Sequence, residues 1–267
     1  MMVLIIGSYP EHTAKRIRAE FPEEWTVRIL PPEEADAFLP EAEAVIPEHV
    51  RVDEAFLARA EKLRLVQTGA GYDNVDVEAC TRRGIQVCNA GGINAAAVAE
   101  HTLALMLCWH RNIHRLDMGL GNGWREKEYA GGELTGKTVG IIGLGRIGVR
   151  VAACCAAFGM RVLAYSRRTV TLEGVETADL HRLLRESDIV TIHIPLTPST
   201  QKLIGAEELS QMKPSALLIN TARGGVVDED ALTEALRQGR IGGACLDVYK
   251  REPLPPEVLC CSFPMSF

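Results

Sequence analysis

The stretch Lys137–Arg168, KTVGIIGLGRIGVRVAACCAAFGMRVLAYSRR, decides how this chain is read. An apolar run, TVGII, meets a glycine-rich turn; a segment of small residues with helical character follows, and a second apolar run, RVLAY, closes the unit. Gly143, Gly145 and Gly148 stand at G-x-G-x-x-G spacing between strand and helix, the context that separates a dinucleotide fingerprint from a chance cluster of glycines. The chemistry assigns each glycine a task. Gly143 allows the tight turn, Gly145 lets the backbone approach a pyrophosphate at the helix N-terminus, and Gly148 lets helix and strand pack closely. The plain alternative is an ordinary tight turn between a strand and a helix, which does not require all three glycines.

The end of the second strand bears on which dinucleotide is bound. A site for NAD usually places Asp or Glu there to hold the ribose 2′-hydroxyl. This chain has Tyr165, Ser166, Arg167 and Arg168 instead. Two guanidinium groups and a hydroxyl suit a 2′-phosphate, so the sequence favours NADP(H) over NAD(H). The bland reading of the two arginines is a solvated loop.

Outward from this unit, short apolar runs alternate with helical patterns along the chain, the signature of parallel βαβ units. Strands are predicted at MVLIIG, TVRIL, EAVIP, RLVQTGA and IQVCN, with helices in HTAKRIRAEF and DEAFLARAEK between them. A long helix over about residues 93–113 leads to a second series, KTVGIIG, RVLAYS, DIVTIHIP, ALLINTA and GGACLDV. In EDALTEALRQG, Ala231, Leu232, Ala235 and Leu236 share one helical face, and Gly239 is placed to stop the helix. The expected fold is α/β: two doubly wound parallel-sheet domains, a flavodoxin-like one over residues 1–90 and a Rossmann one over 91–256, with ligand bound in a cleft at the strands' carboxyl ends.

Composition narrows the classes of function. With 267 residues, 47% hydrophobic and 24% charged, the chain is long enough and apolar enough to bury a core. A net charge of −6 gives no general attraction for nucleic acid or an anionic membrane. The eight cysteines include the adjacent pairs Cys154/Cys155 and Cys260/Cys261 but no C-x-x-C spacing, so ordinary thiols are expected, with no zinc or other metal site. The start, MMVLIIGSYPEHTAKR, lacks a basic segment and a cleavage site and reads as a strand, which points to the cytoplasm. The longest apolar run, INAAAVAEHTLALMLCW, is broken by Glu100 and His101 and reads as a buried helix.

Six segments, TGAGYDNVD, AEHTLALML, GLGRIG, HIPLTPST, NTARGGVVDEDAL and LDVYKREP, together resemble the D-isomer-specific 2-hydroxyacid dehydrogenases, the group that includes phosphoglycerate dehydrogenases and glyoxylate/hydroxypyruvate reductases. The resemblance extends over nearly the whole chain. It implies an oxidoreductase that passes a hydride between NAD(P)H and a small 2-oxo or 2-hydroxy acid of the glyoxylate or hydroxypyruvate class. It implies that Arg223 grips the oxo acid, a task its planar fork suits, and that the backbone N–H groups of Ala70 and Gly71 bind the substrate carboxylate. It places Arg146 and Ile147 at the pyrophosphate, the backbone of Ile194, Thr221 and Ala222 against the nucleotide, and Asp247 on the nicotinamide carboxamide. Taken alone, Asp247 could equally cap a helix. His193 and His101 are read as packed, structural histidines.

Glu252 resembles the family glutamate that orients a histidine in a later Pro-His pair, the proton donor to the carbonyl oxygen. No histidine follows His193 in this sequence, and residues 257–267, EVLCCSFPMSF, stand where the family has a strand, that pair and a closing helix, so the tail reads as a broken frame. A catalytically impaired NADP(H)-binding protein is therefore the alternative. The family also implies a homodimer, with the helix around residues 93–113 and the segment RNIHRLDMGLGNGWREKEYAGGELTG as arm elements.

Overall fold

The two series of strands form two parallel sheets in the computed structural model of the chain, which describes residues 1–48, 50–120, 131–167 and 170–252, with 118–120 described by backbone only. Arg168, Cys260, Cys261, the tail 257–267 and part of the proposed arm segment lie outside the described residues. The chain divides into two units, Met1–Ile93 and Asn94–Phe267.

In the first unit, strands β1 (Met2–Ile6), β2 (Thr26–Leu30), β3 (Ala44–Pro47), β4 (Leu65–Thr68) and β5 (Gln86–Asn89) lie in the order β2-β1-β3-β4-β5, with every pairing parallel. All five match runs predicted from the sequence. β1 is buried along its whole length because it is paired on both edges and covered on both faces. Leu4 and Ile6 join Phe56 and Leu57 on one side, while Val3 and Ile5 pack with Ile17, Phe21 and Trp25 on the other. Helices α1 (Glu11–Ala19), α2 (Pro32–Ala35), α3 (Glu54–Arg59) and α4 (Val77–Arg82) connect the strands. Two of them begin on an aspartate that satisfies an otherwise orphaned backbone donor: Asp53 accepts from the Phe56 N–H at 3.1 Å, and Asp76 from that of Ala79 at 2.9 Å.

The second unit opens with α5 (Ala95–His110) and α6 (Ile113–Leu120). One helix over about 93–113 was predicted; the observed helix stops at His110. Asn112 adopts a φ of 53°, a left-handed conformation that asparagine tolerates and an α-helix cannot continue through. Then come β6 (Thr138–Ile142), α7 (Arg146–Ala157), β7 (Arg161–Tyr165), β8 (Val175–Thr177), α8 (Leu180–Glu186), β9 (Ile189–Ile192), α9 (Ala206–Gln211), β10 (Leu217–Asn220), α10 (Glu229–Arg237) and β11 (Gly243–Leu246). The six-stranded sheet runs β11-β10-β9-β6-β7-β8, all parallel. The edge strand β8 has no counterpart in the sequence reading, because a strand of three mostly exposed residues carries little apolar signal. Gly239, at φ 61°, ends α10 as its sequence position implies.

Helices cover both faces of this sheet. Leu163, Leu183, Leu184, Val190 and Leu218 belong to one buried cluster, and Val139, Ile141, Val151, Ile189 and Ile219 to the other. The sheet is pinned near its amino ends by Asp188, whose carboxylate accepts the Thr138 N–H at 2.8 Å and the Lys213 ammonium at 2.7 Å. Burial pushes the Asp188 carboxyl up, but the bonds from Lys213 and Thr138 outweigh it and hold the group below the usual aspartate range.

Two outcomes follow from this packing. Leu184→Ala empties a fully buried position and lowers stability by roughly 2–5 kcal/mol in urea unfolding. Asp188→Asn lowers stability by roughly 1–2 kcal/mol at neutral pH. A depressed aspartate contributes in full above its unfolded pKa of about 3.9 and loses that contribution as pH falls through its folded value, so the gap between wild type and variant closes only below about pH 4.

Candidate functional site

In the second unit the glycine turn is fixed by backbone contacts. Gly143 has a φ of 106° and donates its N–H to the Tyr165 carbonyl at 2.8 Å. A Cβ on it would lie 2.5 Å from the His193 carbonyl oxygen, and one on Gly148 would lie 1.9 Å from the Gly143 oxygen. Neither position admits a side chain. Gly145 differs: a Cβ there would meet nothing within 4 Å, and the residue caps the N-terminus of α7. That end of α7 presents backbone N–H groups and the positive end of the helix dipole toward an exposed face, an arrangement that fits a dinucleotide pyrophosphate. Arg146 is exposed at the first helical position, and Ile147 packs against the core below it.

The remaining predicted residues of this unit gather along the same edge of the sheet. Ser166 and Arg167 follow β7, His193 and Ile194 follow β9, Thr221, Ala222 and Arg223 follow β10, and Asp247 follows β11. Strand order reverses between β6 and β9, the switch point at which doubly wound sheets receive ligands. Contact there is direct, since a Gly143 Cβ would also lie 2.7 Å from Ile194 Cγ2.

Asn220 shapes the Arg223 turn. Its side chain is buried, accepting from the Ala222 N–H at 3.1 Å and donating to the Arg223 carbonyl at 2.9 Å. The Arg223 guanidinium donates to the Ala222 carbonyl at 2.7 Å. Gly224 is required where it stands, because a Cβ there would come within 2.0 Å of the Tyr249 backbone. The sequence reading missed Asn220; its only signal is a polar residue ending the apolar run LLIN. Asp247 caps no helix. Its N–H donates to the Asn220 carbonyl at 3.0 Å and its Oδ1 lies 3.5 Å from His101 Nε2, a partnership that separation along the chain conceals. The neighbouring Thr102 and Thr221 hydroxyls are 3.2 Å apart and tie α5 to the end of β10. Glu252 is exposed, and its Oε1 accepts from the Tyr249 N–H at 2.8 Å.

In the first unit, the loop after β4 is held through its carbonyls. Gly69 O accepts from the Ala90 N–H at 2.9 Å, Ala70 O from Asn89 Nδ2 at 3.0 Å, and Tyr72 O from the Val75 N–H at 3.0 Å. Among the described residues no hydrogen bond engages the N–H groups of Ala70 or Gly71. Successive backbone donors of this kind can hold an anion.

A doubly wound sheet with a glycine fingerprint at its switch point defines a dinucleotide-binding α/β protein. The NAD-binding domain of the D-isomer specific 2-hydroxyacid dehydrogenases matches residues 103–265, and this chain belongs to that family. It is 43% identical over 226 residues to the D-3-phosphoglycerate dehydrogenase of Archaeoglobus fulgidus, covering 82% of this chain and 43% of that one. It is 48% identical over 219 residues to the glyoxylate reductase of Aeropyrum pernix, covering 77% of this chain and 65% of the reductase. The chain thus spans between two fifths and two thirds of the length of these relatives. The solved D-lactate dehydrogenase of Aquifex aeolicus, complexed with NAD and lactic acid, is 33% identical with a TM-score of 0.86, covering 93% of this chain and 77% of that one. Among the described residues no helix is long and apolar enough to cross a membrane, and no group of three or more His, Cys, Asp or Glu could hold a metal ion.

His193 sits just beyond β9, where its Nε2 lies 3.0 Å from the Thr191 hydroxyl and its Nδ1 is sealed without a described partner. Burial brings its pKa down to about 4, so the ring is neutral at physiological pH. A histidine depressed in this way leaves stability intact above the unfolded pKa of about 6.5 and removes it as pH falls toward 4, because the unfolded chain binds the proton first. His193→Asn flattens that acid limb by roughly 2 kcal/mol in unfolding measured from pH 7 to pH 4, the ring's partly exposed edge keeping the effect below the full value of the shift.

Proposed function

We propose that this chain reduces small 2-oxo acids of the glyoxylate or hydroxypyruvate class with NADPH as the favoured hydride source. The observation that carries the proposal is the single sheet edge shared by the glycine fingerprint at β6 and the clamped Arg223 turn at β10. In this reading, residues 91–256 bind the nucleotide and residues 1–90 serve the substrate. The Gly145 cradle with the N–H groups of Arg146 and Ile147 holds the pyrophosphate. Ser166, Arg167 and Arg168 receive a 2′-phosphate, which no carboxylate at the end of β7 repels. The backbone of Ile194, Thr221 and Ala222 lines the nucleotide, and Asp247, braced by His101, accepts from the carboxamide. The bound nicotinamide supplies the hydride.

Arg223 presents two parallel N–H donors to the oxo acid, binding its carboxylate and drawing charge onto the carbonyl oxygen as the hydride arrives at the 2-carbon. In the first unit, Ala70 and Gly71 offer backbone N–H groups suited to a carboxylate. Glu252 matches the glutamate that in the family orients a histidine acid; no histidine follows it in this sequence, so the proton for the developing alkoxide comes from solvent water. The reductase and the D-lactate dehydrogenase among its relatives act on small acids of this kind, which supports the substrate class. The family relationship further supports a homodimer, and the net negative charge suits a protein of the cytoplasm that avoids polyanions.

The experiment is NADPH oxidation followed at 25 °C with glyoxylate and with hydroxypyruvate. Turnover of either acid is the expected result, and NADPH binding without turnover of any 2-oxo acid overturns the proposal. Arg223→Lys removes the fork while keeping the charge and lowers kcat/KM by about 10²- to 10³-fold. Arg167→Asp lowers the ratio of kcat/KM for NADPH over NADH by at least about tenfold, through repulsion of the 2′-phosphate. An unchanged ratio removes Arg167 from the cofactor site.

A further inference from the structure

We infer that His101 is a positioning residue for hydride transfer: through Asp247 it sets how the nicotinamide carboxamide, and with it the ring that gives up the hydride, is turned toward the acid held by Arg223. The inference rests on the proposed reduction of a 2-oxo acid by a nicotinamide cofactor and on Asp247 as the acceptor of its carboxamide.

The carboxyl ends of β10 and β11 lie level with each other. Asn220 is in register with Leu246, so Thr221 and Asp247 occupy the next step of the two strands, and the Asp247 N–H continues the ladder to the Asn220 carbonyl at 3.0 Å. Each end carries a group the reaction needs, Arg223 just past Thr221 on one and Asp247 on the other. Among the described residues β11 is an edge strand, so within the sheet its end is supported by β10 on one side only. Helix α5 supplies the remaining support. His101 and Thr102 are consecutive in α5, about 100° apart around the helix, and each takes one strand end. His101 Nε2 lies 3.5 Å from Asp247 Oδ1, and Thr102 Oγ1 lies 3.2 Å from Thr221 Oγ1.

The directions of these bonds make α5 a fixed reference. The Thr102 hydroxyl has one hydrogen and donates it to the Val98 carbonyl at 2.8 Å, so between the two hydroxyls it is Thr221 that donates. Both threonines are buried, which keeps the link from exchanging with water. From this anchored helix His101 reaches Asp247, and a carboxylate facing Nε2 requires that this nitrogen carry the hydrogen. With Oδ1 held by His101, one staggered rotamer of Asp247 is selected and Oδ2 is left to accept from the carboxamide. Hydride transfer depends on such placement, since a displacement of about 1 Å can cost about 10²-fold in rate. The ion pair is half-exposed, and pairs of that kind add little to stability, so its contribution is orientation. Asn220 completes the frame: its carbonyl holds the Asp247 N–H, while its side chain clamps Ala222 and Arg223. The groups that hold hydride donor and hydride acceptor are thereby referred to the same residue.

The test compares each cofactor with an analogue that lacks the amide. Binding of NADPH and NADH, and of their reduced 3-acetylpyridine analogues, to the whole chain is measured by calorimetry. The analogue keeps the carbonyl but carries a methyl group in place of the amide nitrogen, so it has no N–H for Asp247. Wild type binds the preferred natural cofactor at least about tenfold more tightly than its analogue. His101→Ala narrows that ratio to about two- to threefold with the melting temperature unchanged, and His101→Gln, whose amide can still donate to Asp247, keeps most of it. On hydroxypyruvate His101→Ala also lowers kcat by about tenfold or more. A role confined to packing would lower the melting temperature and leave the ratio as it is. The inference is overturned if wild type does not distinguish the analogue, if His101→Ala leaves the ratio unchanged, or if neither natural cofactor binds. A ratio that collapses in His101→Ala while wild type turns over no 2-oxo acid would sink the reductase reading and leave the hold of His101 on the carboxamide standing; turnover with an unchanged ratio would do the reverse. Should His101→Ala fold poorly, His101→Leu, which fills the space without a donor, reports the same ratio.

Discussion

The nucleotide-binding half of this chain depends on a contact between backbone atoms. The Gly143 carbonyl oxygen stands 1.9 Å from where a Gly148 Cβ would be, so α7 lies against the turn that starts it more closely than any side chain permits. The same turn presses Gly143 onto the His193 backbone, at the end of the strand on the other side of β6. β6 is thus the strand around which the sheet is organised, paired with β7 on one edge and β9 on the other and sealed on both faces. The N-terminus of α7 inherits that rigidity. A helix end that offers N–H groups to a diphosphate is useful only if it does not move, and here its position is set by packing that leaves no slack.

The first unit repeats the principle with different chemistry. Both sheets reverse their strand order once, and in both the informative residues lie where the chain leaves the strands flanking that reversal. At β6 and β9 these are a glycine turn and a neutral histidine; at β1 and β3 they are Tyr9 and Glu48, bonded to each other. A glycine makes the close approach possible in each case, Gly143 by its turn and Gly7 by having no Cβ to displace its neighbours.

The fold was largely legible in the sequence because buried parallel strands are continuous apolar runs, and all five strands of the first unit and the main strands of the second coincide with such runs. Two features were not. β8 is short and exposed, so it has almost no hydrophobic signature, and the break after His110 depends on one asparagine adopting a left-handed conformation. The site was legible wherever spacing along the chain carries the chemistry, as with Gly143, Gly145 and Gly148. It was opaque where residues far apart in sequence meet, as Asp247 does with His101. Asn220 falls between these cases, adjacent to a predicted residue yet visible as a clamp only once both of its side-chain bonds are seen.

The order in which strands pair bears on how the protein is made. Among the described residues every strand of the first sheet lies before Asn94, so a nascent chain holds these pairing partners once this point has left the ribosome. In each sheet, however, the first strand waits for a neighbour made later, β1 for β3 and β6 for β9. β6 cannot find its neighbour β9 until about fifty further residues are synthesised, and in the interval it exposes an unpaired apolar edge. Chaperone dependence during synthesis should therefore peak twice, between the emergence of Ile6 and that of Ala44 and again between the emergence of Ile142 and that of Ile189.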